Sequence, residues 1–313
     1  MLTFLLKRIA AGIVLVFVVS ALAFFLTRAS GGDIARNVVG DTATQQMVDA
    51  KAAELGLDRP LLVQYVDWLG GALQGDFGVS WFTGAPVADA ITTRMPVTLT
   101  LALLGTLCSA ILGISLGTAA AVRGGWVDRL LQVLVIGGFA VPGFWLALVL
   151  VTALALDTGW LPATGWVPFS ESPTHWARSL VLPVTALTVG VTAAVAQQVR
   201  SGLVDVLQQD YVRSLRARGL SPANVVLRHA LRNAAPSALT VLSLQFIQLL
   251  GGAVIIERIF ALPGLGALTL DSTTQGDVPT IMGVVVLTVF IVVGVNLVID
   301  IVYGWLNPKV RIS

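Results

Sequence analysis

The chain is poor in charged residues and nearly devoid of cysteine. Asp, Glu, Lys and Arg make up 12% of its 313 residues, against about 25% in a typical soluble domain. This low share excludes a soluble globular fold, and it excludes disorder and a coiled coil as well. Cys108 is the single cysteine, which also excludes an internal disulfide and a thiolate metal cluster. A formal net charge of +2 is too small to indicate nucleic-acid binding.

Apolar residues, 56% of the chain, concentrate in six long runs without Asp, Glu, Lys, Arg or His. The runs cover residues 9–27, 97–122, 130–156, 180–196, 235–256 and 280–299. Each is long enough to cross a bilayer, and backbone in hydrocarbon must satisfy its own hydrogen bonds. We therefore predict an all-α polytopic membrane protein with six transmembrane helices. The first run exceeds a signal-peptide core and is interpreted as a retained anchor, and Pro142 is expected to kink the third.

The distribution of basic residues predicts the orientation. With six spans, both termini lie on one side, and that side carries most of the Arg and Lys once the long first loop is set aside. The positive-inside rule then predicts a protein of the cytoplasmic (inner) membrane with both termini in the cytoplasm. Trp126 and Trp305 would mark the inner interface, and Trp160, Trp166 and Trp176 the outer one.

The same topology predicts a domain organisation. Residues 1–27 form the cytoplasmic end and first span, 28–95 an extracytoplasmic insert, 96–306 a five-helix core, and 307–313 a cytoplasmic tail. Within the insert, 41–55 and 61–73 are predicted helices, and the second is amphipathic and suited to the membrane surface. In the outer segment 257–279, Pro263, Gly264 and Gly266 are typical of turns.

The sequence offers the chain no energy source of its own. A charged group inside a span is expensive and is retained where it works, so spans without one argue against an ion-coupled carrier. Lys7, Lys51 and Lys309, the only lysines, do not lie in a phosphate-binding loop. Active transport would therefore draw its energy from a partner, and the inner segment 197–234 is the expected docking surface.

Segment 197–234 carries definite capping residues. Gly219 suits the left-handed position after a first short helix. Ser221 is a favourable N-cap and Pro222 a favourable first residue for a second helix. A solvated loop on the inner side would explain the basic residues of this segment. It would not explain the helix-capping residues.

Residues 210–220, DYVRSLRARGL, and 228–234, RHALRNA, resemble the cytoplasmic loop of binding-protein-dependent ABC import permeases. That loop is known for an EAA-x3-G-x9-I-x-L-P pattern. Gly219 keeps its place, whereas Arg213-Ser214-Leu215 stands where EAA would be and His229 to Arg232 where I-x-L-P would be. These departures resemble the form found in the dipeptide, oligopeptide and nickel permease family.

Three further segments are similar to the B-type subunit of that family, so the resemblance covers essentially the whole chain. They are 55–80, which includes LGLDRPL and GDFGVS, then ERIF with PGLG at 257–266, and NPKVR at 307–311. The resemblance implies the type I ABC importer permease fold and transport of di- or oligopeptides, with nickel or glutathione as the alternative. Outside the family, a stand-alone carrier or channel is the alternative.

The resemblance also implies the partners. They are a second homologous permease, two cytoplasmic ABC ATPases that hold ATP and magnesium, and an extracytoplasmic substrate-binding protein, together with membrane lipid. This chain itself would hold no cofactor. A short helix around Gly219 would fit a groove in the ATPase, and the docking residues would be Asp210, Tyr211, Arg213, Ser214, Ala217, Gly219 and Ser221.

The fifth span contains the candidate translocation path. Gln245 and Gln248 share a face, with Gly252 one turn further on. Polar groups in a span prefer the bundle interior, where they either line a path or bond a neighbouring helix. Because a peptide backbone offers donors and acceptors that a glutamine amide matches, Gln245, Gln248 and Gly252 are the candidate path residues.

Other motifs have simpler interpretations. Gly105, Ser109, Gly113 and Gly117 recur every four residues, which favours close helix packing. The pattern G-x-S-x-G around Ser115 raises an intramembrane serine protease as an alternative, but His175 and His229 are expected near opposite membrane faces. We predict no catalytic residue and no metal site, and we expect Asn296 and Asp300 to be hydrated at a helix end or bonded to the second permease.

Overall fold

A computed structural model describes residues 2–29 and 34–306. Nearly all of the described chain is helical, and its helices are these: α1 (Leu2–Ala29), α2 (Ile34–Val39), α3 (Gln45–Glu54), α4 (Leu61–Ala72), α5 (Val87–Arg123), α6 (Gly125–Ala140), α7 (Gly143–Leu150), α8 (Pro173–Leu207), α9 (Asp210–Ala217), α10 (Pro222–Asn224), α11 (Leu231–Ile259), α12 (Leu265–Gln275) and α13 (Val278–Leu306). Two π-helical stretches extend them, Val151–Asp157 after α7 and Val225–Ala230 between α10 and α11.

The six predicted spans are present, five as continuous helices and one as a broken pair. α1, α5, α8, α11 and α13 are each long and apolar enough to cross a membrane, whereas α6 and the helix Gly143–Asp157 meet at an angle of 94°. The sequence predicted a kink at Pro142, but the break is sharper. Val141 and Pro142 are both extended, with ψ of 114° and 134°, and proline supplies no amide to continue the α6 ladder.

Contacts at its two ends show that the broken pair crosses the bundle. At one end, both guanidinium donors of Arg200 reach the Asp128 carboxylate, with Nη2 to Oδ2 at 2.6 Å. At the other end, Arg178 Nη2 donates to the Trp160 carbonyl at 2.6 Å. Since Arg200 and Arg178 lie near opposite ends of α8, the α6–α7 segment runs the length of a full span and is not a re-entrant loop.

The chain forms two compact units. The first comprises Met1–Thr98 with Pro263–Gly294, and the second Leu99–Leu262 with Val295–Ser313. In the first unit, α4 packs on α1 through buried Tyr65, whose hydroxyl lies 2.9 Å from Ser20 Oγ. Phe24, Ile34, Val278 and Met282 belong to the same apolar cluster, so α4 and the first span share one core.

Asp277 is a buried carboxylate in the first unit that accepts several hydrogen bonds. It is 3% exposed, and its carboxylate accepts hydrogen bonds from Ser80 Oγ at 2.6 Å, Thr280 Oγ1 at 2.7 Å and the Trp81 amide at 3.1 Å. Three donors offset the cost of burying a carboxylate. Asp277 thereby fixes the end of the insert to the start of α13.

In the second unit, α8 is the central helix and packs against α6, α7 and α11. The small-residue stripe of α5 faces α8, as predicted. A Cβ atom on Gly113 would lie 2.6 Å from Val195 Cγ1, and one on Gly117 would lie 2.5 Å from the Ala196 carbonyl oxygen. Glycine at these two positions therefore permits an approach that any larger residue would prevent.

Several elements differ from the sequence-based expectation. α12 begins at Leu265, where turn residues were expected, because Thr98 Oγ1 of α5 accepts a hydrogen bond from the Leu265 amide at 2.8 Å. α5 begins at Val87 and so takes in the end of the predicted insert. The predicted tail 307–313, with Lys309 and the NPKVR segment, lies outside the described residues.

Candidate functional site

The turn after α9 has the geometry that its capping residues predicted. Gly219 has φ of +80°. Its amide donates to the Arg216 carbonyl at 2.9 Å, and the Leu220 amide donates to the Leu215 carbonyl at 3.3 Å. These two bonds form a Schellman motif, which closes a helix with a left-handed residue. Ser221 Oγ then accepts from the Asn224 amide at 3.4 Å as the N-cap of α10, with Pro222 as first residue.

One face of α9 is anchored to the second unit. Val212 is fully buried, and Tyr211 accepts a hydrogen bond through its hydroxyl from Asn233 Nδ2 at 2.8 Å. Tyr211 also packs against the apolar cluster of α8 and α11. One face of α9 is therefore packed against residues of α8 and α11.

The opposite face of α9 is open. Six of the seven predicted docking residues are exposed there, namely Asp210, Arg213, Ser214, Ala217, Gly219 and Ser221, whereas Tyr211 is half-buried. Among the described residues, and apart from Gly219 and its two chain neighbours, no atom lies within 4 Å of the position that a Cβ on Gly219 would take. These six exposed residues therefore lie together on the open face of α9 and on the turn that follows it. Their role in docking an ATPase stays a prediction.

The candidate path residues line one cavity inside the second unit. Gln245, Gln248 and Gly252 share a cavity of about 340 Å³ with residues of α6, α7 and α8. Such a volume falls within the roughly 300–1,000 Å³ typical of small-molecule sites. The structure therefore brings the three residues together, and their role in translocation stays a prediction.

The break between α6 and α7 forms part of the cavity wall. Val141 and Gly143 both line it, and non-helical backbone at membrane depth is tolerated only where protein covers it or where it lines a cavity. Gln245 Oε1 is buried and accepts no hydrogen bond from the described residues. A buried acceptor without a donor is costly. Gln245 and Gln248 are the two residues with side-chain amides in the otherwise mainly apolar lining of this cavity.

Sequence reasoning missed two polar contacts between spans. The Asp128–Arg200 ion pair joins α6 to α8, and the sequence around these two residues does not indicate it. Asn296 accepts a hydrogen bond from Ser243 of α11 within the chain, where hydration or a bond to a second permease was expected. Neither pairing has a local signal, because the partners are 72 and 53 residues apart.

Ser115 does not have the surroundings of a nucleophile. Its Oγ donates to the Ile111 carbonyl of its own helix at 2.7 Å, a common bond for serine inside a helix. His175 instead pairs through Nδ1 with Ser172 at 2.9 Å. The G-x-S-x-G pattern is therefore part of the packing stripe of α5.

These features define a class: a polytopic helical membrane protein with a broken span, a cavity between its spans that two glutamines line, and an exposed capped helix beyond them. Comparison with known proteins identifies the family. The model of the family described as "binding-protein-dependent transport system inner membrane component" matches residues 109–312. The model of the N-terminal part of such membrane components matches residues 1–102. The chain belongs to this family and is a permease subunit of an ABC importer, which works with an ATPase and other transporter components.

Relatives match along almost the full length. A peptide transport system permease protein of Brucella abortus (strain 2308) is 40% identical over 98% of both chains. The glutathione transport system permease protein GsiC of Escherichia coli (strain K12) is 38% identical over 99% of both chains. Among solved structures, the MetNI methionine ABC transporter in an inward-facing conformation has a TM-score of 0.56 at 19% identity, covering 69% of this chain and 96% of that one. This last likeness concerns the fold alone.

Proposed function

We propose that this subunit carries di- and oligopeptides into the cytoplasm, with both of its termini on the cytoplasmic side. Its partners would be a second homologous permease, two ATPases that bind ATP and magnesium, and an extracytoplasmic binding protein. Full-length relatives named for peptide transport, at 37–40% identity, support the substrate class. Glutathione is the second candidate, because a relative of nearly equal identity is named for it.

The cavity beside the α6–α7 break is the observation that carries this proposal. Gln245 lines this cavity, and a side-chain amide matches the donors and acceptors of a peptide backbone. Gln248 and Gly252 extend the same wall. The open edge of α9, at Asp210, Arg213, Ser214, Ala217, Gly219 and Ser221, would receive the ATPase, and Tyr211 would connect that edge to α11.

Substitution of Gln245 tests the substrate assignment. In proteoliposomes that contain the complete importer, Gln245→Leu should raise the KM for dipeptide uptake roughly fivefold to tenfold, the worth of one hydrogen bond. Thr240→Val is the matched control, because it removes a polar group from the same helix at a position that does not line the cavity. Its KM should equal that of the wild type.

Competition completes the test. Unlabelled di- and tripeptides should suppress uptake of the labelled dipeptide by the wild type. If glutathione competes and peptides do not, glutathione replaces peptides as the substrate. If Gln245→Leu and Thr240→Val behave alike, the cavity is not the peptide path.

A further inference from the structure

A second cavity lies in the same unit, at the end of the bundle that carries α9. Its volume is about 510 Å³, and its floor is apolar, with Ile114 from α5, Val199 from α8, and Ala238 and Leu242 from α11. Val199, Ala238 and Leu242 belong to the buried core. The floor of this groove is therefore apolar and part of the packed core.

Two arginines line the rim of this groove. Arg228 and Arg232 are four residues apart, near the junction of the π-helical stretch with α11. Both are exposed, and neither forms a hydrogen bond or ion pair with the described residues. Arginine binds phosphate through two parallel N–H donors, so the rim presents two unused phosphate-binding groups above an apolar slot.

The remaining wall places the groove at the membrane surface. Trp305 near the end of α13 lines it and is 68% exposed, and tryptophan concentrates at the boundary between headgroups and acyl chains. Leu227, which is 64% exposed, lines the groove beside Arg228. The groove thus opens where a lipid would place its phosphate and the first part of its acyl chain.

We propose that this groove binds one anionic phospholipid, with its phosphate on Arg228 and Arg232 and an acyl chain along the floor. Charge complementarity selects this occupant. The chain's own residues 307–313 contain Lys309 and Arg311, charges that do not complement the two rim arginines. None of the seven named ATPase-docking residues lines the groove.

Native mass spectrometry of the complete importer in detergent tests this assignment. Phosphatidylglycerol should bind at one molecule per chain, roughly 20-fold more tightly than phosphatidylcholine with identical acyl chains, as expected for two arginines near a membrane surface. Arg228→Gln with Arg232→Gln should abolish this preference. Arg123→Gln with Arg129→Gln is the matched control, because it removes the same charge from exposed positions outside the groove.

Two further arms keep the result interpretable. Ala235→Trp retains both arginines but fills the floor, and it should weaken phosphatidylglycerol binding as the double variant does. Soluble glycerol phosphate should not displace the lipid, because it lacks an acyl chain. The proposal is overturned if glycerol phosphate competes as well as the lipid, if the control pair loses the preference equally, or if the wild type binds both lipids alike.

Discussion

Gly219 combines a backbone conformation that few residues other than glycine adopt with a position at the open end of α9. Its φ of +80° sets the turn, while no described atom outside its two chain neighbours lies within 4 Å of a Cβ at this position. A larger residue would therefore strain the backbone without a clash of its Cβ atom. A bulky side chain here would also stand in the way of a partner that approaches this edge.

Substitutions at Gly219 separate these two effects. Gly219→Ala and Gly219→Trp share the backbone strain of about 1–2 kcal/mol, but only tryptophan adds bulk. In proteoliposomes with the complete importer, Gly219→Trp should abolish peptide uptake and uncouple ATP hydrolysis from it, whereas Gly219→Ala should retain most of the uptake. Full uptake by Gly219→Trp would show that no ATPase docks at this edge.

Residues whose roles are set by their neighbours in sequence were predictable. Gly219, Ser221 and Pro222 terminate and start helices through bonds that span at most five residues, so their pattern is visible in the sequence. Asp128 and Arg200 were not predictable as a pair, because only the packing of α6 on α8 brings them together. The same holds for Asp277, whose donor Ser80 is 197 residues away.

At the scale of elements, the approach of α5 to α8 depends on glycines. These glycines differ in how much space a Cβ atom would have before it meets α8. A Cβ on Gly113 would lie 2.6 Å from Val195, a distance that forces the helices apart. A Cβ on Gly105 would lie 3.4 Å from Thr188 Cγ2, close to ordinary contact. The two positions are on the same stripe and so form a matched pair.

We predict that Gly113→Ala destabilises the protein by about 1–3 kcal/mol, the usual cost of overpacking, and that Gly105→Ala is close to neutral. Thermal unfolding of the detergent-purified chain measures both. Equal stability of the two variants would mean that α5 and α8 are not in the close contact described here.

Elements differed in how well the sequence predicted them. The six apolar runs predicted six spans because hydrocarbon dictates helices of that length. α12 was missed because Pro263, Gly264 and Gly266 suggest a turn, while the side chain that caps the helix comes from Thr98, 167 residues away. The 94° break at Val141 and Pro142 exceeded the predicted kink, since its stability comes from packing against α8.

At the scale of the whole molecule, the long apolar runs hold no Asp, Glu, Lys, Arg or His. The described residues form a cavity with two glutamines beside a helix break and an exposed capped helix beyond the spans. Such a molecule can offer a translocation path and a docking surface for an ATPase. Its own sequence contains no phosphate-binding loop that would bind ATP. Under the proposed function, the energy for accumulation enters through α9 from a separate ATPase.

Reconstitution tests this requirement most directly. The purified chain with its permease partner is placed in proteoliposomes, with or without the ATPases, in the presence of binding protein, labelled dipeptide and imposed proton or sodium gradients. We predict accumulation above the external concentration only when the ATPases and ATP are both present. Uphill accumulation by the permeases without ATPase would contradict the account.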